Sequence, residues 1–282
     1  MALLDHSNLG WVAPVTVIVP CYCCTSTIQR AIESVALQAL LPAEVILVDD
    51  CSPDDTLAEL YRLQSSYQEG WIRVVSLRKN GGPSVARNAG WREATQPYLA
   101  FLDADDSWHP QKIQIQYQWM ASHHEVILTG HGFTSCRDGK QQVLSANMIS
   151  SLSARNISRL ELLLSNRFCT PTVMLKADCG FRFDEDKRYA EDYLLWLKIC
   201  LSGGNMVLLQ VDLAYLHKAP YGAGGLSAAL WAMEKGELAV YQRLYLARMI
   251  SCLELTGLVL LSFVKYVRRV FVVQLQPRER VV

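Results

Sequence analysis

The chain has 282 residues, of which 51% are hydrophobic and 19% are charged, with 16 glycines and 10 prolines. This composition excludes a disordered, collagen-like or low-complexity chain and predicts a globular protein of one large domain or two ordinary ones. Lysine plus arginine and aspartate plus glutamate both number 27, so no overall charge favours nucleic acid as a partner.

Strand and helix signals alternate through the first 130 residues, which predicts a mainly parallel sheet with helices on both faces. The sequence predicts strands at 15–19, 45–48, 72–77, 98–102 and 125–128. Between and after them it predicts helices over 25–40, from Ser52-Pro53 to Ser65, over 84–94, over 111–120 and over 190–201, the last one ending at Gly203-Gly204.

Polar residues collect where three of these strands end, and ligands of open α/β sheets bind outside the carboxyl ends of strands. The three ends are Pro20-Cys21-Tyr22, Asp49-Asp50 and the acidic run from Asp103 to Asp106. If strand geometry continues, Asp103 and Asp105 share one side. Two such carboxylates favour Mg²⁺ or Mn²⁺ shared with a diphosphate. The alternative is a solvated turn that caps a helix.

The glycine-rich segment 81–90 matches neither the phosphate loop of nucleotidases nor the fingerprint of dinucleotide-binding enzymes. Arg87 lies one turn into the helix predicted there. Its guanidinium could bind a phosphate or a carboxylate with two parallel hydrogen bonds, or form a surface ion pair.

Five strings in order and spacing carry a family resemblance. They are V-T-V-I-V-P-C-Y, V-I-L-V-D-D-C-S-P-D-D-T, G-G-P-S-V-A-R-N-A-G, F-L-D-A-D-D and A-E-D-Y-L-L-W-L-K. Together they resemble the inverting glycosyltransferases of family 2, over residues 15–201. The resemblance implies an α/β, Rossmann-like GT-A fold. We accordingly predict a catalytic domain over 1–227, with a nucleotide half at about 14–130 and an acceptor half at about 131–227. The residues beyond the resemblance predict a C-terminal helical tail over 228–282.

The same resemblance implies a role for each motif residue. The donor is a nucleotide sugar, whose base Pro20 and Tyr22 flank and Asp50 hydrogen-bonds. Arg87 helps to bind the nucleotide, Asp103 lies near the ribose and Asp105 is the direct ligand of Mg²⁺ or Mn²⁺. The alternatives are that Tyr22 is a partly buried core tyrosine and that Asp50 caps a turn together with Asp49.

Glu191-Asp192 opens the helix over 190–201, and Asp192 resembles the catalytic base of the family. Helix capping alone is the alternative, since a helix dipole stabilises a carboxylate there. Trp196 is predicted to be core, and Trp108 to be either core or a sugar platform. His217 precedes the glycine-rich segment Tyr221 to Leu226, and we expect a structural histidine more than a diphosphate contact.

Two positions depart from the family pattern. Cys23 stands where asparagine is usual, and Cys51 stands where glycine is common. The second is expected to alter the backbone, because cysteine tolerates positive φ poorly. Cys21, Cys23 and Cys24 have no matching downstream pair at zinc-site spacing and are predicted to be small buried residues.

The tail is basic and apolar. From Arg243 onward there are seven basic and two acidic residues, a net charge of +5, which leaves −5 on the first 242 residues. Leu255 to Val264 carries no charge but is too short to span a bilayer. Lys265, Arg268 and Arg269 follow among apolar residues, which favours an interfacial helix whose cations meet anionic head groups. Packing on the protein body or in a homodimer is the alternative.

The resulting hypothesis is a metal-dependent, inverting glycosyltransferase that uses a UDP-linked sugar and a glycan or lipid-linked acceptor in cell-surface polysaccharide or lipopolysaccharide synthesis. We expect it in the cytoplasm, on the cytosolic face of the membrane, because the first residues lack the features of a signal peptide. No nucleic-acid partner is expected, and a homo-oligomer is compatible with the sequence. A sugar nucleotidyltransferase would need a basic glycine-rich loop in place of Cys21 to Ser26. An inactive binding module would bind the donor without depending on Asp192.

Overall fold

The computed structural model describes residues 12–135, 152–187, 189–217 and 230–275. Within these ranges the strands are β1 (Ala13–Cys21), β2 (Pro42–Asp49), β3 (Ile72–Ser76), β4 (Tyr98–Phe101), β5 (Ser107–Trp108), β6 (Val126–Ser135), β7 (Ala154–Asn156), β8 (Met174–Lys176) and β9 (Asn205–Leu216). The helices are α1 (Ile28–Ala36), α2 (Thr56–Ser66), α3 (Pro83–Glu93), α4 (Lys112–Ser122), α5 (Arg159–Leu164), α6 (Glu191–Leu201), α7 (Leu230–Leu246) and α8 (Cys252–Leu275). A 3₁₀ turn covers Thr170–Thr172.

One sheet joins all the described strands in the order β3-β2-β1-β4-β8-β6-β9-β5, with β7 added beside β9. The first four strands of this order are parallel, as the alternation of strands and helices predicted. From β4 onward the sheet is mixed, because β8 runs antiparallel to both β4 and β6 while β6 and β9 run parallel.

Both faces of the sheet are covered, which explains the unbroken apolar run of β1. Alternate side chains of a strand point to opposite faces. Val17 packs with Ile28 and other residues of α1 and α2, whereas Ile18 packs with Trp91 of α3 and with α6. Helix α3 comes so close that a Cβ on Gly90 would lie 2.6 Å from Ile18 Cγ2. This approach sets the position of Arg87 above the sheet.

Two helix boundaries differ from the sequence predictions. The helix expected to start at Ser52-Pro53 starts at Thr56, because the Ser52 hydroxyl accepts a hydrogen bond from Cys23 N–H (3.2 Å) instead of capping a helix. Helix α1 is shorter than predicted, and Pro42 begins β2. Gly203 has a φ of 90° directly after α6, as expected of a glycine that ends a helix.

The two C-terminal helices, α7 and α8, form a helical pair that packs against the rest of the described chain. Val240, Tyr241, Leu244 and Leu258 join the core cluster that contains most of α6. Among the described residues, no helix has both the length and the apolarity needed to cross a membrane. The division into a nucleotide half, an acceptor half and a tail stays a prediction, and the segment Tyr221 to Leu226 lies outside the described residues.

Candidate functional site

The three polar strand ends meet at one edge of the sheet. Strand β1 pairs in parallel with both β2 and β4, so the residues that follow these strands are neighbours. Pro20 is half-buried near the end of β1. Tyr22, which follows the strand, has 50% of its surface accessible. Tyr22 is therefore not the core tyrosine of the alternative interpretation.

Asp50 organises the loop that leads into α3. Its two carboxylate oxygens accept hydrogen bonds from the backbone N–H groups of Gly81 (2.8 Å) and Gly82 (2.7 Å), and the side chain is almost fully buried. Gly82 has a φ of 83°, a conformation that glycine adopts without steric cost. The carboxylate thus fixes the start of the helix that carries Arg87.

The acidic run after β4 is a turn. The strand ends at Phe101, and Asp106 N–H donates to Asp103 O (3.0 Å), so strand geometry does not extend to Asp103 and Asp105. The helix-capping alternative is also wrong, because Asp106 accepts a hydrogen bond from His217 N–H (3.2 Å) and Ser107 begins β5. Asp105 is partly exposed.

Arg87 connects this turn to the beginning of α6. Its Nη2 binds Asp103 Oδ1 (2.8 Å), and its Nη1 binds Glu191 Oε1 (3.0 Å). Burial opposes the charge of this arginine, but the carboxylates of Asp103 and Glu191 raise the pKa of Arg87 above its ordinary value. The guanidinium also lies 5.4 Å from the ring centre of Phe183. It is neither a surface ion pair nor exposed, since only 5% of the residue is accessible.

Asp192 lies in the first turn of α6. The helix begins directly after Ala190, whose φ is 54°. Asp192 Oδ1 accepts from Tyr193 N–H (2.7 Å), and its Oδ2 accepts from Asn166 Nδ2 and Thr170 Oγ1, both at 3.3 Å. Burial raises the pKa of the Asp192 carboxyl, although these donors favour its ionised form. Burial and then the charge of Asp192 also raise the pKa of Glu191.

Sequence reasoning missed the two side chains that hold Asp192. Asn166 and Thr170 lie in an irregular segment without periodicity or motif. The 3₁₀ turn that carries Thr170 is itself held by Trp108, whose Nε1 donates to Pro171 O (2.8 Å). Trp108 and Trp196 are both fully buried, which answers the open question about Trp108 in favour of the core.

His217 lies on the other side of the acidic turn. Its Nε2 is 2.8 Å from Ser107 Oγ, and burial lowers the pKa of its imidazole. The nearby Arg30 donates to Asp105 O (2.6 Å). The structure therefore brings Asp103, Arg87, Glu191 and Asp192 into one network, and it places Asp105 on the side of the turn that faces Arg30 and His217.

The cysteines at the sheet edge only partly follow the prediction. Cys21 and Cys24 are buried, as expected, whereas Cys23 is exposed. Cys23 and Cys51 both have positive φ, of 49° and 56°. The chain thus keeps the left-handed backbone at position 51 even though cysteine has replaced the common glycine, at a conformational cost of order 1 kcal/mol.

The site residues fit a cation shared with a substrate. In the part of the chain that the structure describes, no group of three or more His, Cys, Asp or Glu side chains could hold a metal by itself. A magnesium ion needs only one or two protein carboxylates when substrate phosphates supply other ligands. The partly exposed Asp105 is one such carboxylate, whereas Asp103 already binds Arg87.

Known proteins match this chain over most of its length. A sequence profile described as Glycosyl transferase family 2 matches residues 16–183, more than half of the chain. The succinoglycan biosynthesis protein ExoO of Rhizobium meliloti (strain 1021) is 30% identical over 210 residues, 68% of this chain and 57% of that protein. The Escherichia coli protein named UDP-Glc:alpha-D-GlcNAc-diphosphoundecaprenol beta-1,3-glucosyltransferase WfaP is 28% identical over 194 residues, 67% of this chain and 71% of that protein.

Two solved structures share the fold. S. aureus TarS 1–349 in complex with UDP-GlcNAc superposes with a TM-score of 0.64 at 22% identity, over 82% of this chain and 66% of that one. The mannosyltransferase PcManGT from Pyrobaculum calidifontis, in complex with GDP-Man and Mn²⁺, gives 0.64 at 18% identity, over 84% and 65% of the two chains.

Proposed function

The chain belongs to glycosyltransferase family 2 and has the GT-A fold, and from this premise we propose that it transfers a sugar from a nucleoside-diphosphate donor to a hydroxyl group with inversion at the anomeric carbon. One observation carries the proposal. Arg87 binds both Asp103, just after β4, and Glu191, at the start of α6, so a residue proposed for donor binding and the neighbour of the proposed base are joined through one guanidinium. We call the region around these residues the cleft.

The donor is proposed to lie along the sheet edge. The exposed ring of Tyr22, beside Pro20, offers a surface on which a nucleobase stacks. Asp50, whose carboxylate accepts from Gly81 and Gly82 N–H, is proposed to accept a hydrogen bond from a base N–H as well, since an ionised carboxylate has about four lone-pair sites. The UDP-GlcNAc bound by TarS and the UDP-Glc in the name of WfaP make a UDP-linked sugar the first donor to test.

The cation is proposed to be Mg²⁺ or Mn²⁺, held by Asp105 together with the donor diphosphate, with Asp103 near the ribose. The Mn²⁺ in the PcManGT complex supports this choice. When bound, such an ion supplies positive charge that stabilises the departing diphosphate.

Asp192 is proposed as the general base. Its carboxylate accepts the proton of the acceptor hydroxyl while that oxygen forms a bond to the anomeric carbon, and the bond between this carbon and the diphosphate oxygen breaks with its electron pair going to the diphosphate. A single displacement inverts the configuration. The raised pKa makes Asp192 a stronger base than an ordinary aspartate. Asn166 and Thr170 hold the carboxylate in position.

The acceptor is proposed to be a glycan or a lipid-linked sugar in the synthesis of a cell-surface polysaccharide. The succinoglycan role in the name of ExoO and the undecaprenol-linked acceptor in the name of WfaP support this class. We place the enzyme at the cytosolic face of a membrane. The eight described cysteines are all free, as expected in a reducing compartment.

The test is a panel of nucleotide sugars measured for thermal stabilisation and turnover, with and without Mn²⁺. Asp105→Asn is expected to lose the Mn²⁺-dependent part of donor binding. Asp192→Asn is expected to keep donor binding and to lower turnover about 10² to 10⁴-fold, the contribution of a positioned base.

The matched control is Asp178→Asn, which makes the same change at an exposed aspartate in the turn after β8 and should alter neither quantity. Full turnover by Asp192→Asn would show that another group is the base. If no nucleotide sugar binds in the presence of Mn²⁺, the donor-binding assignment fails as a whole.

A further inference from the structure

One face of helix α8 turns polar side chains toward α7. Ser262 and, on α7, Glu234 are fully inaccessible, and Ser262 Oγ donates to Glu234 Oε1 (2.7 Å). Lys265 Nζ binds Glu237 Oε1 (2.5 Å), and Arg269 Nη2 binds Glu237 Oε2 (3.2 Å). Lys265 and Arg269, expected from the sequence to meet anionic head groups, are therefore partly buried and paired with Glu237 of α7.

The opposite face of α8 is apolar and exposed. It forms an outer stripe of six residues, Leu253, Leu260, Phe263, Val264, Val267 and Phe271, which are between 39% and 86% accessible. Their spacing places them on one side of a helix, and the 19 residues from Leu253 to Phe271 extend over about 27 Å. A surface helix of a soluble protein has the reverse orientation, with its apolar residues inward. We therefore expect another surface to cover the outer stripe.

The charge around the outer stripe favours an anionic partner. Arg248, in the turn between α7 and α8, and Arg268, beside the stripe, are exposed. The acidic residues described in the two helices are held by internal partners: Glu234 by Ser262, Glu237 by Lys265 and Arg269, and Glu254 by Arg159 (2.6 Å). The surface thus presents cations and apolar side chains together.

The size of the outer stripe disfavours a second copy of the chain. A stripe about 27 Å long on a helix about 10 Å wide covers roughly 300 Å². A stable protein interface buries about 800 Å² on each partner. A membrane surface has no such minimum, because a single amphipathic helix binds it by inserting its apolar face between the head groups.

Aromatic side chains flank the outer stripe. Trp231 is half exposed, and its ring lies 5.5 Å from that of Tyr266, which in turn lies 6.4 Å from that of Phe263. Tyrosine and tryptophan, with an apolar ring and one polar atom, are enriched at membrane interfaces.

We propose that the outer stripe of α8 inserts into the head-group region of an anionic phospholipid bilayer and lies in its plane, with Arg248 and Arg268 at the lipid phosphates. The apolar face provides the attachment. The ion pairs of Lys265 and Arg269 with Glu237 hold the helix in the orientation that exposes this face. The proposal concerns a surface remote from the cleft and does not depend on the reaction carried out there.

The test is sedimentation of the full chain with vesicles of phosphatidylglycerol and phosphatidylcholine, and with vesicles of phosphatidylcholine alone. The wild-type chain is expected to sediment with the anionic vesicles. The double variant Leu260→Gln with Val264→Gln is expected to bind them at least tenfold more weakly, and Arg268→Gln a few-fold more weakly with a reduced dependence on salt. Leu37→Gln, which changes an exposed leucine at the end of α1, is the matched control.

Because all three stripe and control residues are exposed, the variants should keep the thermal unfolding temperature of the wild type. Equal binding by the double variant and the control would overturn the proposal. It would also be overturned if light scattering showed a dimer that the double variant converts to monomer, since the outer stripe would then be an interface between two copies.

Discussion

The cleft and the helical pair both bury arginine and glutamate side chains, but they direct these charges differently. In the cleft, Arg87 lies between Asp103 and Glu191, while the Asp103 side chain keeps 33% of its surface accessible. In the helical pair, Glu234 and Ser262 are fully inaccessible and Glu237 is shared by Lys265, Arg269 and Tyr241.

The difference separates two uses of buried charge. The cleft network keeps acceptor capacity facing solvent, where a ligand can use it. The network of the helical pair is closed by its own partners, and its effect is to turn an apolar face outward. Variants of each network should therefore fail in different ways, and four of them test the contrast.

Arg87→Met should have the largest effect on stability. It leaves the buried Glu191 without its cation, and breaking a buried ion pair costs about 3 to 5 kcal/mol of unfolding free energy. Arg87→Lys should lose less, because a lysine keeps the charge but cannot bind both carboxylates in the same geometry. Urea unfolding measures both. A loss below about 1 kcal/mol for Arg87→Met would mean that the network does not stabilise the fold.

Gly236→Ala in α7 should have the next largest effect on the free energy of unfolding. A Cβ there would lie 2.6 Å from Tyr189 Cβ and 3.0 Å from Tyr189 O, and overpacking of this kind costs about 1 to 3 kcal/mol. Gly257→Ala in α8 is the control, since its Cβ would meet nothing within 4 Å and alanine favours a helix by up to about 1 kcal/mol over glycine. Thermal unfolding should therefore move in opposite directions for the two variants.

Glu234→Gln should destabilise the helical pair by about 1 to 2 kcal/mol. An amide still accepts the hydrogen bond from Ser262 but no longer attracts Arg269, whose Nη2 lies 3.6 Å from Glu234 and keeps Glu237 as a partner at 3.2 Å. Turnover should stay unchanged, in contrast with the cleft variants. Lys235→Gln, at the exposed neighbouring position, should change the unfolding free energy by less than about 0.5 kcal/mol.

Thr170→Val should have the smallest effect, a shift in the pH dependence of turnover. The base is active when ionised, so activity is lost as the pH falls through the pKa of Asp192, which burial raises. The Thr170 hydroxyl stabilises the ionised form, so its removal should raise the pKa of Asp192 further and move the acid limb to higher pH. If the acid limb stays in place or moves to lower pH, Thr170 does not stabilise the ionised form of the base.

Local patterns predicted the parallel half of the fold well. The β-branched run at Val15 to Val19 became the centre of β1, and Gly203 ended α6 with the positive φ expected of it. The strand ends converged for the same reason, because parallel neighbours carry their ends to one edge. Each of these features depends on residues close together in the chain.

The rest depends on contacts between distant residues. The partners Arg87 and Glu191 are 104 positions apart, and no single-sequence pattern indicates that an arginine bridges two acids. The periodicity of α8 showed which residues share a face but not which face meets the protein. Lys265 and Arg269 were expected outside, and the structure places them against Glu237 because α7 supplies an acidic partner there.

The position of Asp50 links the two ends of the cleft mechanically. Its carboxylate accepts hydrogen bonds from the N–H groups of Gly81 and Gly82, and helix α3, which begins there, carries the Arg87 guanidinium that binds Glu191. A nucleobase that hydrogen-bonds to Asp50 would therefore be connected, through α3 and Arg87, to Glu191, the neighbour of the proposed base. We expect binding of a nucleotide without a sugar to change the surroundings of Asp192.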